Sequence, residues 1–431
     1  MKRSIHARLG ALIALSALVA GCQGPCSKLD RLGGPQVLTG TVDFSSYVAV
    51  GTSISAGFQS GGLVNRHQVR SFPAIFAQQV GKTVSLSGQG TFSLPVFDGD
   101  GAPPLLHIVS YSPLIIQPSA SPQGNPVNVA QPTPYHNLAV PGALAFDFAD
   151  ASLYYLPARG NPYFAAIIRQ QGTIEQNALA LAPTFMTFEF GANEVLGPTI
   201  QGGAAAVTTA EQFIPAVDAE LDALHAADPG LRIAIFNVPD VTSIPFVTTL
   251  SPFTRNATTG APLPLIGAGG LLQQGDFLTL NASTLIATTG TGIPTTGINY
   301  LNPSVPGNGQ PLPESVILRA GEAAQTRYEI AQMNDALLEE SRRPYVALVD
   351  LNGLLRTIAT TGLTIGQNHY TKDFVQGGLF SLDGIHPNDL AHAVICNTLI
   401  DAVNAKFGAG LQRVDPLAFA TPSSSAVLPI P

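Results

Sequence analysis

The chain has no tryptophan, and only three cysteines and three methionines in 431 residues. Without indole there can be no sugar platform built on tryptophan stacking, although Tyr or Phe could serve. Charged residues are scarce, at 11%. Twenty Lys and Arg stand against 28 Asp and Glu, and the net charge of −8 forms no basic stripe. That argues against a nucleic-acid partner. Neither a CxxC nor an HExxH pattern occurs, so no metal site or cofactor is implied.

Apolar residues are plentiful, at 45%, enough for a large core. Glycine (43) and proline (35) are also abundant, so much of the surface should be irregular loop.

The amino terminus reads as a processing signal. Lys2, Arg3 and Arg8 precede an apolar run, Leu9 to Ala20, that is short for a membrane span. VAGC (Val19 to Cys22) resembles a bacterial lipobox, which implies cleavage before Cys22 and lipid on its sulfur and new amino group. The expectation is a signal peptide over 1–21, a lipidated tether over 22–41, and an outer-membrane location, since Gln23 rather than Asp follows the cysteine. Several acyl chains on one cysteine anchor stably. Cleavage leaves 17 basic against 28 acidic residues, a charge of −11, so attachment should come from lipid and not from a charged face. Cys26 and Cys396 remain; they could pair, but Cys396 reads as a small core residue.

Five short apolar runs read as buried parallel strands: SSYVAV (45–50), HNLAV (136–140), PTFMTFEF (183–190), RIAIFNV (232–238) and PYVALVDL (344–351). Helical patterns at 71–81, 209–230, 322–341 and 387–407 fall between or after them. Such alternation predicts an α/β fold. Two stretches break the beat, about 94–135 and 241–318, the second apolar and nearly free of charge. Loops that long tend to be functional lids or small subdomains. The second leaves the carboxyl edge of the sheet, and its composition predicts a greasy cover over a site there. The domain is expected to span 42–412, with a loosely held tail over 413–431.

GTSISAG (Gly51 to Gly57) follows the first strand directly. It is not the Gly-x-Ser-x-Gly elbow of α/β-hydrolases, because position 55 is Ser. By itself it is a Gly-Ser turn. SLDGIHPN (Ser381 to Asn388) is more specific, since it sets Asp383 three residues before His386 in a Gly- and Pro-marked loop. A serine hydroxyl needs a base to take its proton. Histidine suits that task, and it needs a partner on its other nitrogen.

With these residues the chain resembles an SGNH (GDSL-type) hydrolase. GTSISAG resembles the first family block with Ser53 as nucleophile, and HNLAVPGA the second with Gly142. FGANE resembles the third with Asn193, and DGIHPN the last with Asp383 and His386. All four stand in family order. Thr52 replaces the usual Asp beside the serine, and Glu194 replaces the usual Asp after the asparagine. The resemblance implies a flavodoxin-like three-layer sandwich on a central parallel sheet of about five strands, with two long insertions. It implies Ser53, Asp383 and His386 as the catalytic set, and the N–H groups of Ser53 and Gly142 with the Asn193 amide as oxyanion donors. The expected reaction is cleavage of a carboxylic ester, of a lipid or an acylated glycan. The competing expectation is a surface lipoprotein that keeps the fold but only binds a glycan or protein.

Elsewhere Ser55 reads as a turn residue, His136 as packing and His392 as a surface helix position. His67, His107, His369, Glu175 and Asp147 have no partner visible in the sequence.

Overall fold

The computed structural model describes residues 39–111, 114–203 and 205–420. The expected signal peptide, the expected lipidated tether up to residue 38 with Cys22 and Cys26, and the tail beyond Ala420 lie outside the described residues. Among the described residues no helix is long and apolar enough to cross a membrane.

The frame is a parallel sheet of β1 (Tyr47–Gly51), β2 (Phe185–Glu189), β3 (Arg232–Phe236) and β4 (Val346–Val349), side by side in that order. The register pairs Tyr47 with Phe185, Met186 with Ile233, and Ile233 with Val346. The expected fifth strand, 136–140, lies parallel to the free edge of β1. It bonds there through His136 O to Ala49 N, Leu138 N to Ala49 O, and Val140 N to Gly51 O, but makes only one regular bridge. Pro134 and Pro141, which lack an N–H, bracket it and keep it short. Counted with it, the strands run 2-1-3-4-5 across the sheet, the flavodoxin-like order.

Side chains alternate along a strand, so each strand feeds two cores. Val48, Val50, Met186, Phe188, Ile233 and Ile235 point to one face. There they meet Phe213, Val217 and Leu221 of a helix at Ala210–Ala227, and Ile330 and Met333 of another at Ala320–Glu340. Tyr47, Ala49, Phe185, Ala234 and Phe236 point to the other face, where Phe72, Ile75 and Phe76 of helix Phe72–Gln79 cover them. Helix Asp389–Phe407 completes that layer with Cys396, Leu399, Ile400 and Val403. Cys396 is a free, fully buried thiol. These fully buried strands explain why the sequence shows apolar runs instead of alternation.

Residues 94–135 carry an antiparallel hairpin, Leu106–Tyr111 with Leu114–Pro118, while Leu94, Val96, Phe97 and Ala102 anchor their base in the interior. The stretch 241–318 is a small subdomain of short hairpins and two helices, Pro245–Thr248 and Ala282–Thr289, around its own core of Leu265, Leu278, Ile286, Ile293 and Leu312. It does not cover the site as its composition suggested. It spends most of its apolar residues on that core; toward the site Val241 and Ile244 line the inner pocket, and Phe246, Phe277 and Leu280 pack behind Phe380 and Ile385. The chain also stays packed past 412. Asn397 exchanges hydrogen bonds with Val414, and Pro416–Phe419 docks on the last helix.

Candidate active site

Parallel strands deliver their carboxyl ends to one edge. β1 ends there at Gly51, and one helical turn, Ser53–Ala56, follows. Gly51 has φ +154, and a Cβ on it would lie 2.6 Å from Glu189 O and 2.7 Å from Ser55 Oγ, so only glycine fits the turn.

Beneath the turn lies Glu189, the last residue of β2, almost fully buried. Its carboxylate accepts from Thr52 N (3.0 Å), Thr52 Oγ1 (2.9 Å), Ser55 N (3.3 Å) and Ser55 Oγ (2.9 Å). Thr52 thus bonds to a side chain of the neighbouring strand and not to nearby backbone. Ser55 has a structural task as well, fastening the turn. Burial raises the Glu189 pKa, and these four donors offset only part of that. Sequence reasoning missed Glu189; the available signal was one acid in an otherwise apolar strand.

Ser53, only 7% exposed, points its Oγ at His386 Nε2, 2.9 Å away. His386 Nδ1 is 2.9 Å from Asp383 Oδ2. Asp383 also accepts from Gly61 N, Ser381 Oγ, Ile385 N and His386 N. Burial alone would raise its pKa, but the charge and hydrogen bond of His386 and these N–H groups hold it down at about 2. An ionised Asp383 fixes Nδ1 as a donor and leaves Nε2 to accept the Ser53 hydroxyl proton. The loop after the serine helix is tied to the histidine loop three times. Ser60 N donates to Ser381 Oγ, Leu382 N to Ser60 Oγ, and Gly61 N to Asp383 Oδ2. Ser60, Gly61 and Ser381 carried no sequence signal. Asn388 closes the loop by capping the last helix at Ala391 N and donating to Gly378 O. Phe246 N, from the second insertion, donates to Gly384 O and braces it from outside.

Gly142 follows the irregular edge strand with φ +78, a conformation that favours glycine. Its loop is gripped by the first turn of helix Ala192–Ile200 after β2. Asn193 Nδ2 donates to Ala143 O at 2.8 Å, and Glu194 Oε1 accepts from Ala145 N at 2.6 Å. Burial pushes the Glu194 pKa up to about 7. One hydrogen of the Asn193 amide is spent on Ala143, and the other has no acceptor among the described residues. The N–H groups of Ser53 and Gly142 donate to no group among the described residues. Ser53, Asn193 and His386 line two spaces. One is an open cleft of about 940 Å³, which also holds Gly142, with Phe146, Leu153 and Leu156 on its rim. The other is a narrow pocket of about 80 Å³ running inward between the last two helices.

The remaining candidates are elsewhere. His136 bonds to Ser93, and burial lowers its pKa. His392 is not on the surface: it is fully buried, and burial pushes its pKa down to about 3. The helix turns that position onto the sheet beside Phe72. His67 pairs with Asp389, His107 with Asp100, and Asp147 with Arg159. Among the described residues no group of three or more His, Cys, Asp and Glu is placed to hold a metal ion.

The family model for GDSL-like lipase/acylhydrolase matches residues 47–399, a span that includes every residue of the site. A solved structure described as a GDSL-like lipase of Parabacteroides merdae is similar at 11% identity over 85% of this chain and 99% of that one, with a TM-score of 0.34. No curated protein matches the chain.

Proposed function

The chain belongs to the GDSL-like lipase/acylhydrolase family, and from that premise we propose that it hydrolyses carboxylic esters through an acyl-serine intermediate. One observation carries the reading: Ser53 Oγ, His386 Nε2, His386 Nδ1 and Asp383 Oδ2 form a chain of 2.9 Å contacts beside unspent donors. His386 takes the Ser53 proton as Oγ attacks the ester carbon. The carbonyl oxygen, now negative, turns toward the N–H groups of Ser53 and Gly142 and the remaining Asn193 amide hydrogen. Such donors act where charge develops, and losing one typically costs about 10²–10³ in kcat. His386 then gives its proton to the leaving alcohol. In the second half it takes a proton from water, which attacks the acyl-serine, and it returns that proton to Ser53. Asp383, ionised throughout, orients the imidazole and stabilises it when protonated.

A fluorophosphonate probe tests the reading, because it reacts with an activated serine and mimics the acyl step. The wild-type protein should be labelled, and Ser53→Ala should not be. An unlabelled wild-type protein, or equal labelling of Ser53→Ala, sinks the hydrolase reading and leaves a non-catalytic binder of glycan or protein. We further propose that Cys22 carries lipid and holds the enzyme at a bacterial membrane, most simply the outer one, on the strength of VAGC after an apolar run.

A further inference from the structure

The two spaces that meet at Ser53 differ in shape and chemistry. Twenty residues line the inner pocket, and only Ser53, Asn193 and His386, all at its mouth, are polar. Its walls are Leu351, Leu355 and Ile358 from helix Leu351–Thr360, and Ala391, Val394 and Ile395 from helix Asp389–Phe407. The cleft is more than ten times larger, about 940 against 80 Å³, and wide to solvent.

An ester has two sides, and the reaction treats them differently. The alcohol must leave after the first half, and water must enter in its place. The acyl group must stay put through both halves. An open cleft suits departure and water entry; a dry pocket suits retention.

On the premise that the protein is an ester hydrolase, we propose that the inner pocket is its acyl site and selects linear acyl chains of medium length. A water-sized group needs about 10–15 Å³ of such space. The roughly 80 Å³ present exceed that several-fold, so the pocket admits a run of methylene groups and is full well before a palmitoyl chain is accommodated. Each methylene buried is worth about 0.8 kcal/mol, or about fourfold in kcat/KM, until the pocket is full. A longer chain overfills the pocket and has to bend back into the cleft, a misfit that costs more than the added methylenes gain.

The test is a p-nitrophenyl ester series from acetate to palmitate, in which the leaving group is constant. For the wild type, kcat/KM should climb to hexanoate or octanoate and fall about tenfold or more by palmitate. Ala391→Leu fills the pocket from the last helix and should cut the octanoate-to-acetate ratio of kcat/KM by at least about tenfold. Leu355→Ala enlarges the pocket and should move the optimum to a longer chain; it carries the test if Ala391→Leu fails to fold. A flat profile, an optimum at acetate or palmitate, or an unchanged ratio in a folded variant overturns the acyl-pocket assignment while fluorophosphonate labelling of Ser53 still upholds the hydrolase. Absence of labelling overturns both.

Discussion

Replacing Glu189 should separate what its carboxylate does as an acceptor from what it does as a charge. Glu189→Ala leaves the N–H groups of Thr52 and Ser55 without an acceptor in a site closed to water. Each such buried donor costs about 1–3 kcal/mol. The two hydroxyls can rotate and find other partners, so the penalty comes mainly from the two amides, about 2–6 kcal/mol in all. Glu189→Gln is different. An amide oxygen at the Oε2 position keeps an acceptor for the Thr52 and Ser55 N–H groups and the Ser55 hydroxyl, and an NH₂ group at the Oε1 position can donate to Thr52 Oγ1. The carboxylate itself suffers from burial, which raises its pKa, so removing the charge recovers part of what the bonds lose. The Gln variant should stay within about 1 kcal/mol of wild type. Catalysis should follow the same order. Ser53 N–H and Oγ both hang on the turn that Glu189 holds, and a shift of about 1 Å there is enough to cost about 10²-fold. Urea unfolding and ester kinetics on both variants are the assay. Stability and kcat should fall together in Glu189→Ala and stay near wild type in Glu189→Gln. If the two variants lose equally, the charge matters and the acceptor does not. If Glu189→Ala keeps its kcat, the turn does not depend on Glu189 at all.

Glu220 gives a pH prediction of a defined sign. Burial first, and the Glu194 charge second, push its pKa up to about 9, and its Oε2 has no hydrogen-bond partner among the described residues. The folded state keeps a proton that the unfolded state loses near its ordinary carboxylate value, so stability falls as pH rises from about 4.5 to 9. Glu220→Gln should unfold like wild type at pH 4, yet be more stable at pH 8 by an amount on the order of 5 kcal/mol, read from urea titrations at the two values; a difference independent of pH refutes the cause. Cys22→Ser should move the protein from the membrane to the soluble fraction on fractionation of cells, and continued membrane association removes the lipid-anchor proposal.

The sheet was legible because its strands are buried on both faces, which writes them as unbroken apolar runs. The edge strand at 136–140 was legible as a run but not as an irregular one, because its pairing depends on β1 and not on its own residues. The site was legible where chemistry demands a particular side chain next to particular neighbours: Ser53 in a glycine turn, and Asp383 three residues before His386. What supports the site was not. Glu189 lies 137 residues from Thr52, and Ser381 lies 321 residues from Ser60. Pairs so far apart leave no pattern in a single sequence. The apolar composition of 241–318 misled for a related reason. Composition reports that a segment has a core to build, and not whether it builds the core with its neighbours or by itself.

The long-range bonds also explain why Thr52 can stand where the family resemblance leads one to expect Asp. A turn that presents a serine at the end of a buried strand has free N–H groups pointing into the protein, and an acceptor must meet them. In this chain the neighbouring strand supplies it from below, through Glu189, which receives both the backbone of the turn and its two hydroxyls. A second carboxylate at position 52 would lie against Glu189 in a site without water, where two like charges cannot both persist. Threonine is a donor of the right length, so the acid at 189 and the hydroxyl at 52 form one solution to one requirement. The hydroxyl at position 52 is therefore matched to the acid at the end of β2. Thr52→Asp alone should do more harm to the serine turn than its likeness to the family block suggests.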